Sequence, residues 1–103
     1  MQDYSIERAG IPNLDFTGDL IGQSAGPMPV VKIYRTKALK YVGELKANQQ
    51  LAQAQGGFAT PQDLVNWFKS FNYGTISPDV QEAIEAATKN DEPFKTAWNV
   101  QIT

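Results

Sequence analysis

The 103-residue sequence contains no cysteine and no histidine. Without cysteine there is no disulfide and no thiolate nucleophile, and without histidine the commonest metal ligand and general base are missing. The sequence also lacks an apolar run of the roughly 20 residues that span a bilayer, and its first residues lack the pattern of a signal peptide. We therefore expect no membrane segment, no cofactor and no metal site. Because nothing indicates secretion, we expect a cytoplasmic location.

The residues that are present indicate one domain over positions 1–103. Two Trp, five Phe and four Tyr supply large apolar side chains, which argues against intrinsic disorder. A chain of this length buries about two-thirds of its unfolded surface, which suffices for one core. Residues 1–12 are expected to be the poorly ordered part of this domain.

Charge is unevenly distributed along the chain. Residues 1–26 carry a net charge of −3, residues 27–50 carry +4, and residues 51–103 carry −3. The overall charge of −2 argues against a protein that binds polyanions with its whole surface. The basic middle segment is either a local binding surface or the complement of the two acidic flanks.

The hairpin of residues 30–36 and 40–47 is the clearest element. A three-residue loop, 37–39, keeps the apolar residues of both strands on one face, whereas a slip of one residue would mix the faces. The aligned pairs are Thr36 with Lys40, Tyr34 with Val42, and Lys32 with Glu44. Leu39 occupies the loop position that usually holds a glycine in the left-handed conformation, so the sequence predicts either strain at Leu39 or a longer loop.

Other segments carry weaker or differently spaced signals. Residues 14–20 alternate as a strand with one solvated face, whereas residues 47–59 are rich in Gln and Ala and are expected to form a mobile connection. Two helices are predicted, one from the N-cap Thr60 to a closing Gly74 and one between Ser77 and Asn90. The alternation in residues 94–102 predicts a last strand, with a helical continuation as the alternative.

These elements predict an α+β fold. An antiparallel sheet of three strands, with a fourth added by the tail, would carry two helices on one face. The predicted core consists of Leu14, Phe16, Leu20, Ile33, Tyr41, Leu45, Leu64, Phe68, Phe71, Val80 and Ile84.

Two tryptophans are the candidate contacts for a protein partner. Trp67 neighbours Phe68, and a helix cannot direct both rings at one narrow seam. One ring is therefore expected at the margin of the buried seam, where it could contact a partner, because Trp is enriched in protein interfaces. The plainer alternative is a wide apolar stripe that is covered by the sheet. Trp98 lies in the predicted last strand, whose free edge would pair with a second copy.

The polar face of the hairpin is the candidate nucleic-acid surface. Cations on a twisted ribbon can follow a phosphate backbone, and an aromatic ring can stack on a base. The residues concerned are Lys32, Tyr34, Arg35, Lys37, Lys40 and Lys46. Because Glu44 lies among these lysines and the protein is net acidic, an ordinary solvated surface is the alternative.

The carboxylates do not have the spacing of a catalytic pair. Asp15 and Asp19 would lie about 13 Å apart on a strand, beyond the roughly 5–9.5 Å that separate glycosidase acid pairs, so both are expected to be solvated. Asp91 and Glu92 lack the spaced ligands of a calcium loop and are expected to end a helix. No nucleophile or phosphate-binding glycine motif is present.

Three short segments resemble a pattern in small uncharacterised bacterial proteins. They are Phe16-Thr17-Gly18-Asp19-Leu20-Ile21-Gly22, Ile33-Tyr34-Arg35-Thr36 and Lys40-Tyr41-Val42. The pattern combines an F-x-G-[DE]-L-x-G strand with a Y-R-T…G-K-Y-V hairpin, and Leu39 stands where it has glycine. The resemblance covers residues 14–46 and implies the strand–loop–hairpin arrangement and a bacterial origin, without an activity.

The sequence thus predicts a non-catalytic interaction module that acts through protein–protein contacts, with a homodimer as one form of it. A nucleic-acid-binding module that uses the basic face of the 30–47 hairpin is the alternative. An enzyme that uses carboxylate or lysine chemistry is the remote alternative.

Overall fold

A computed structural model of the protein describes residues 1–26, 30–46 and 51–98. The fold is α+β: in the described part of the chain, five strands precede three helices. The strands are β1 (Gln2–Arg8), β2 (Ile11–Gln23), β3 (Val31–Thr36), β4 (Tyr41–Leu45) and β5 (Gln53–Phe58). The helices are α1 (Pro61–Lys69), α2 (Pro78–Asn90) and α3 (Glu92–Trp98).

The strands form one antiparallel sheet in the order β1-β2-β3-β4-β5. The predicted hairpin is β3–β4, and its register is confirmed, with Lys32 opposite Glu44 and Tyr34 opposite Val42. Leu39 has a φ of 62°. The left-handed position that usually holds glycine is therefore occupied by leucine, as the three-residue loop predicts.

Two flanking segments contain strands that the sequence does not predict. Residues 1–12 contain β1, which pairs with β2 from Gln2 to Arg8. In the predicted connection 47–59, residues 53–58 form β5, while residues 47–50 lie outside the described residues. The sequence of β5, Gln-Ala-Gln-Gly-Gly-Phe, has no β-branched residue, so it carries little strand signal of its own. Pairing with β4 makes it a strand.

The last described segment is a helix and not the predicted strand. Residues 92–98 form α3, which is the helical alternative, and residues 99–103 lie outside the described part of the chain. Phe94 and Trp98 fit an alternating pattern, but they are also four residues apart, the spacing of one helical face. Phe94 is fully buried between the helices and the sheet, and this packing favours the helix.

The predicted helix starts are confirmed. The side chain of Thr60 accepts a hydrogen bond from the Asp63 N–H, and that of Ser77 accepts one from the Val80 N–H. These bonds satisfy backbone donors that have no partner in the first helical turn. The predicted helix end is wrong: α1 ends at Lys69 with Ser70 as its C-cap, and Gly74, with a φ of 79°, lies in the turn that follows.

The sheet buries apolar side chains on both faces. The helices cover one face, where the buried residues are Ile21, Val31, Ile33, Tyr41, Leu64, Val65, Phe68, Val80, Ala83, Ile84, Ala87 and Phe94. On the other face the sheet curls over a second core of Ile6, Tyr34, Val42, Ala52 and Ala54. The curl brings Arg8 of β1 into a parallel bridge with Ala52. The sequence analysis predicts only the helix-covered face and not this second core.

Most of the predicted core is buried or partly buried, but Leu20 and Phe71 are exposed. The pairing of β2 with β3 is irregular between Leu20 and Gly22, so the strand changes its facing there and Ile21 is buried in place of Leu20. Phe71 lies beyond the last residue of α1, where it no longer follows the helical stripe.

Gly22 allows α2 to approach the sheet. A β-carbon at this position would collide with the carbonyl oxygen of Ala83 and lie 2.8 Å from the backbone nitrogen of Ala87. We expect Gly22→Ala to lower the free energy of unfolding by about 1–3 kcal/mol, because helix backbone cannot move aside without displacing α2. Urea denaturation measures the loss, with the exposed neighbour Gln23→Ala as the control. Equal stability of the two variants would contradict this account of Gly22.

Candidate functional site

Trp67 lies at the margin of the helix-side core. Phe68 is fully buried there, and Trp67 is partly buried, so Trp67 is the more accessible of the two adjacent rings. The Trp67 ring packs 5.9 Å from Phe58 and 5.0 Å from Phe71, measured between centroids. Its position is therefore rigid, although part of the ring is accessible.

Trp67 and Phe71 form one wall of a groove, which we call the aromatic groove. Its other walls are residues 52–55 at the start of β5 and the β1–β2 turn, including Ile11, and it encloses about 320 Å³. Phe71 is 48% exposed and Ile11 is 54% exposed. Large apolar side chains that share one concave surface are typical of a contact site, whereas single exposed ones are ordinary.

The aromatic groove runs beside a strand edge. β5 is the last strand of the sheet, and in the described ranges an isolated bridge joins Arg8 to Ala52, the residue just before β5. The Arg8 guanidinium donates to the carbonyl oxygens of Ala54 at 3.2 Å and Pro12 at 2.9 Å. Arg8 is the charged residue of the groove, and both of these contacts are to neutral acceptors.

Tyr73, two residues after Phe71 in the chain, is a further exposed aromatic residue. Its side chain is 100% exposed, and its φ is 55°. A left-handed conformation costs a non-glycine residue about 1–2 kcal/mol. Burial of the ring does not compensate for this cost, so stability of the isolated protein does not explain why a tyrosine stands there. Sequence reasoning missed Tyr73, because no local pattern shows which turn residue has a positive φ.

Trp98 does not lie on a strand edge. It ends α3 and is partly buried against the helix-side core. Among the described residues, the edge strands of the sheet are β1 and β5. The edge-pairing argument for Trp98 is therefore wrong, and any sheet pairing with a second copy would use one of those two strands.

The predicted nucleic-acid surface is not one continuous face. Tyr34 is buried, and its ring packs 4.7 Å from Tyr4 and 5.1 Å from Phe16. The proposal that Tyr34 stacks on a base needs a correction, because these rings cover it. Of the cations, Lys37 and Lys40 are exposed at the β3–β4 turn, whereas Lys32 and Lys46 lie toward the other end of the hairpin, around Glu44.

Arg35, the remaining cation of that set, points to the helix side. Its Nη1 lies 2.8 Å from Oδ1 of Asp91, and the other carboxylate oxygen accepts bonds from the Tyr41 hydroxyl at 2.7 Å and the Phe94 N–H at 3.2 Å. Asp91 is buried at the C-cap of α2, so its prediction as a helix end is confirmed. Burial and the neighbouring Asp91 raise the pKa of Tyr41, which stays a hydroxyl donor. Arg35 therefore ties the sheet to the α2–α3 junction.

The other carboxylates lie on open surface. Asp15 and Asp19 are exposed as predicted, and Asp15 accepts a hydrogen bond from Ser5 across β1–β2. Within residues 1–26, 30–46 and 51–98, no group of three acidic side chains is placed to hold a metal ion. None of the three described helices has the length and apolar character needed to cross a bilayer.

The chain matches no protein-family model, no curated protein and no solved structure to which it was compared. Its function is therefore inferred from the geometry of its own surface.

Proposed function

We propose that this protein is a non-catalytic module that binds another protein through the aromatic groove and through Tyr73, which follows the groove residue Phe71 by two positions in the chain. The observation that carries the proposal is the fully exposed Tyr73 at a φ of 55°. Backbone strain concentrates at functional positions, and tyrosine and tryptophan are the residues most enriched in binding hot spots. Contact with a partner gives the Tyr73 ring an energetic function that it lacks in the isolated protein.

The shape of the groove favours an extended partner segment. A segment beside β5 can form backbone hydrogen bonds with the strand edge while one apolar side chain enters between Trp67 and Ile11. Because Arg8 is the charged group there, an acidic or uncharged segment fits better than a basic one. The proposed partner is therefore a protein with an exposed, extended and non-basic apolar segment.

A second copy of this chain is one source of such a segment. In that case the protein is a homodimer in which a segment of one copy occupies the aromatic groove of the other. The cytoplasmic location and the bacterial origin that the sequence indicates also remain part of it. The dispersed cations and the buried Tyr34 argue for protein over nucleic acid as the partner.

Tyr73→Gly is expected to separate binding from stability. Glycine adopts a positive φ without steric cost, so we expect unfolding stability to stay equal or to rise by up to about 1 kcal/mol. Binding to the partner should weaken by at least about ten-fold, the effect of losing a hot-spot side chain. Leu39→Gly is the matched control, since Leu39 is also exposed with a φ of 62° but lies in the β3–β4 turn. It should gain similar stability and keep full binding.

The experiment uses four tagged baits in nuclease-treated bacterial lysate: the unchanged protein, Tyr73→Gly, Phe71→Ser and Leu39→Gly. A partner of the aromatic groove is retained by the first and last baits and lost with the other two, and calorimetry with the purified partner then gives the affinities. Light scattering of all four proteins tests whether that partner is a second copy. Equal retention by all four baits would overturn the proposal. Retention that depends on nucleic acid and on Lys32, Lys40 and Lys46 would replace it with the nucleic-acid alternative.

A further inference from the structure

A second cavity, separate in its chemistry from the aromatic groove, lies against the inner side of the curled sheet. It encloses about 320 Å³, with residues 4–7 of β1 as one wall and Tyr34 and Glu44 among its lining residues. Lys32 and Lys46 also line it. We call it the polar cavity. Its volume is at the lower end of the roughly 300–1,000 Å³ that small-ligand pockets enclose.

Glu44 is a buried carboxylate that faces this cavity. Its side chain belongs to a residue only 7% exposed, and its Oε1 accepts a hydrogen bond from the Tyr34 hydroxyl at 2.9 Å. Among the described residues, no lysine or arginine forms an ion pair with it, although Lys32 stands opposite in the β3–β4 register. A buried charge is unfavourable unless it is paired and fully hydrogen-bonded, and an apolar residue of similar volume is often at least as stable. Fold stability therefore does not explain an acid at position 44.

Tyr34 holds the carboxylate in place. Burial and the charge of Glu44 raise the pKa of Tyr34 well above its ordinary value. The hydroxyl thus stays protonated and keeps donating to Oε1 at any physiological pH. One oxygen is fixed by this bond, and within residues 1–26, 30–46 and 51–98 the other carboxylate oxygen has no hydrogen-bond partner, so it can accept a donor from a ligand in the cavity.

The charges around the cavity balance. Two acids, Glu7 and Glu44, and two lysines, Lys32 and Lys46, line it. A singly charged ligand would be attracted by one pair and repelled by the other, whereas a ligand that carries both signs is attracted by both pairs. The rings and methyl groups of Tyr4 and Ile6 offer contact to an apolar part of the ligand.

We propose that the polar cavity binds a small zwitterion with an apolar side chain, of the size of one free amino acid. Its ammonium group donates to the Glu44 carboxylate, and its carboxylate accepts from the ammonium groups of Lys32 and Lys46. The site involves neither Trp67 nor Tyr73, so ligand binding here can be tested independently of the proposed protein contact.

The test is an NMR titration of the full chain with three matched probes. L-leucine carries both charges, 4-methylpentanoate lacks the ammonium group, and 3-methylbutylamine lacks the carboxylate. We expect L-leucine to give saturable shifts of the backbone amides of residues 4–7 below about 10 mM. Each single-charge analogue should bind at least about ten-fold more weakly. Absence of saturable shifts with L-leucine, or equal binding of the three probes, would overturn the proposal.

Variants of the charged residues locate the site. Glu44→Gln keeps an acceptor for Tyr34 but removes the charge, and it should weaken L-leucine binding by at least about ten-fold. Lys46→Gln tests one of the two lining lysines, at an exposed position where folding is not at risk, and we expect a similar loss. Glu92→Gln and Lys95→Gln on α3 are the matched controls and should bind as the unchanged protein does. Undiminished binding by both Glu44→Gln and Lys46→Gln rules out the polar cavity as the site.

Discussion

Replacing Phe68 by alanine is expected to lower the free energy of unfolding by about 3–5 kcal/mol. Phe68 is 1% exposed and lies between α1 and the sheet. A β-carbon on Gly43 of β4 would come within 3.0 Å of its ring, so the ring rests directly on the strand backbone. Removing it leaves a cavity that neither α1 nor β4 can fill without moving as a unit, and the loss is therefore near the upper end for a core substitution.

Urea denaturation of Phe68→Ala and Phe71→Ala gives the comparison. Phe68 lies in α1, and Phe71 lies just beyond its end. Phe71 is half-exposed, so its truncation should lower the free energy of unfolding by less than about 1 kcal/mol. Phe68→Leu leaves most of the volume in place and should remain folded if Phe68→Ala does not. Similar stabilities of Phe68→Ala and Phe71→Ala would show that the buried face of α1 is assigned wrongly.

Asp91→Ala is the second substitution with a large expected effect, a loss of about 3–5 kcal/mol in unfolding free energy. The carboxylate accepts from Arg35, Tyr41 and the Phe94 N–H. Its removal leaves the Arg35 guanidinium without a counter-charge, and it leaves a buried hydroxyl and a helix N–H without an acceptor. The ion pair that connects β3 to the α2–α3 junction, two parts that are far apart in the sequence, is lost.

A double-mutant cycle separates the ion pair from the other contacts. Asp91→Ala and Arg35→Ala are each expected to destabilise the protein, and the double variant should lose at least about 1 kcal/mol less than the sum. Asp91→Asn retains an acceptor for Tyr41 and Phe94 while losing the charge, and should lie between the unchanged protein and Asp91→Ala. Strict additivity of the two alanine substitutions would show that the two side chains do not interact in solution.

The sequence by itself determined the elements whose signals are local. The β3–β4 register follows from alternation within one hairpin, the left-handed Leu39 from the length of its loop, and the starts of α1 and α2 from Thr60 and Ser77. In each case the atoms that decide the structure lie within a few residues of one another. The placement of Trp67 at a core margin follows in the same way from its adjacency to Phe68.

Only the tertiary structure decided the features that depend on distant contacts. β5 becomes a strand through pairing with β4, and the segment around Phe94 becomes a helix because Phe94 is buried. The local sequence of neither segment predicts its structure. The curl that buries Tyr34 and Glu44 also brings Ile11 near Trp67. Both candidate sites therefore arise from the curvature of the sheet, which is set by long-range packing and by backbone hydrogen bonds that every residue type except proline can make in full. Hydrophobic patterning records which residues avoid water, but not which distant surfaces meet.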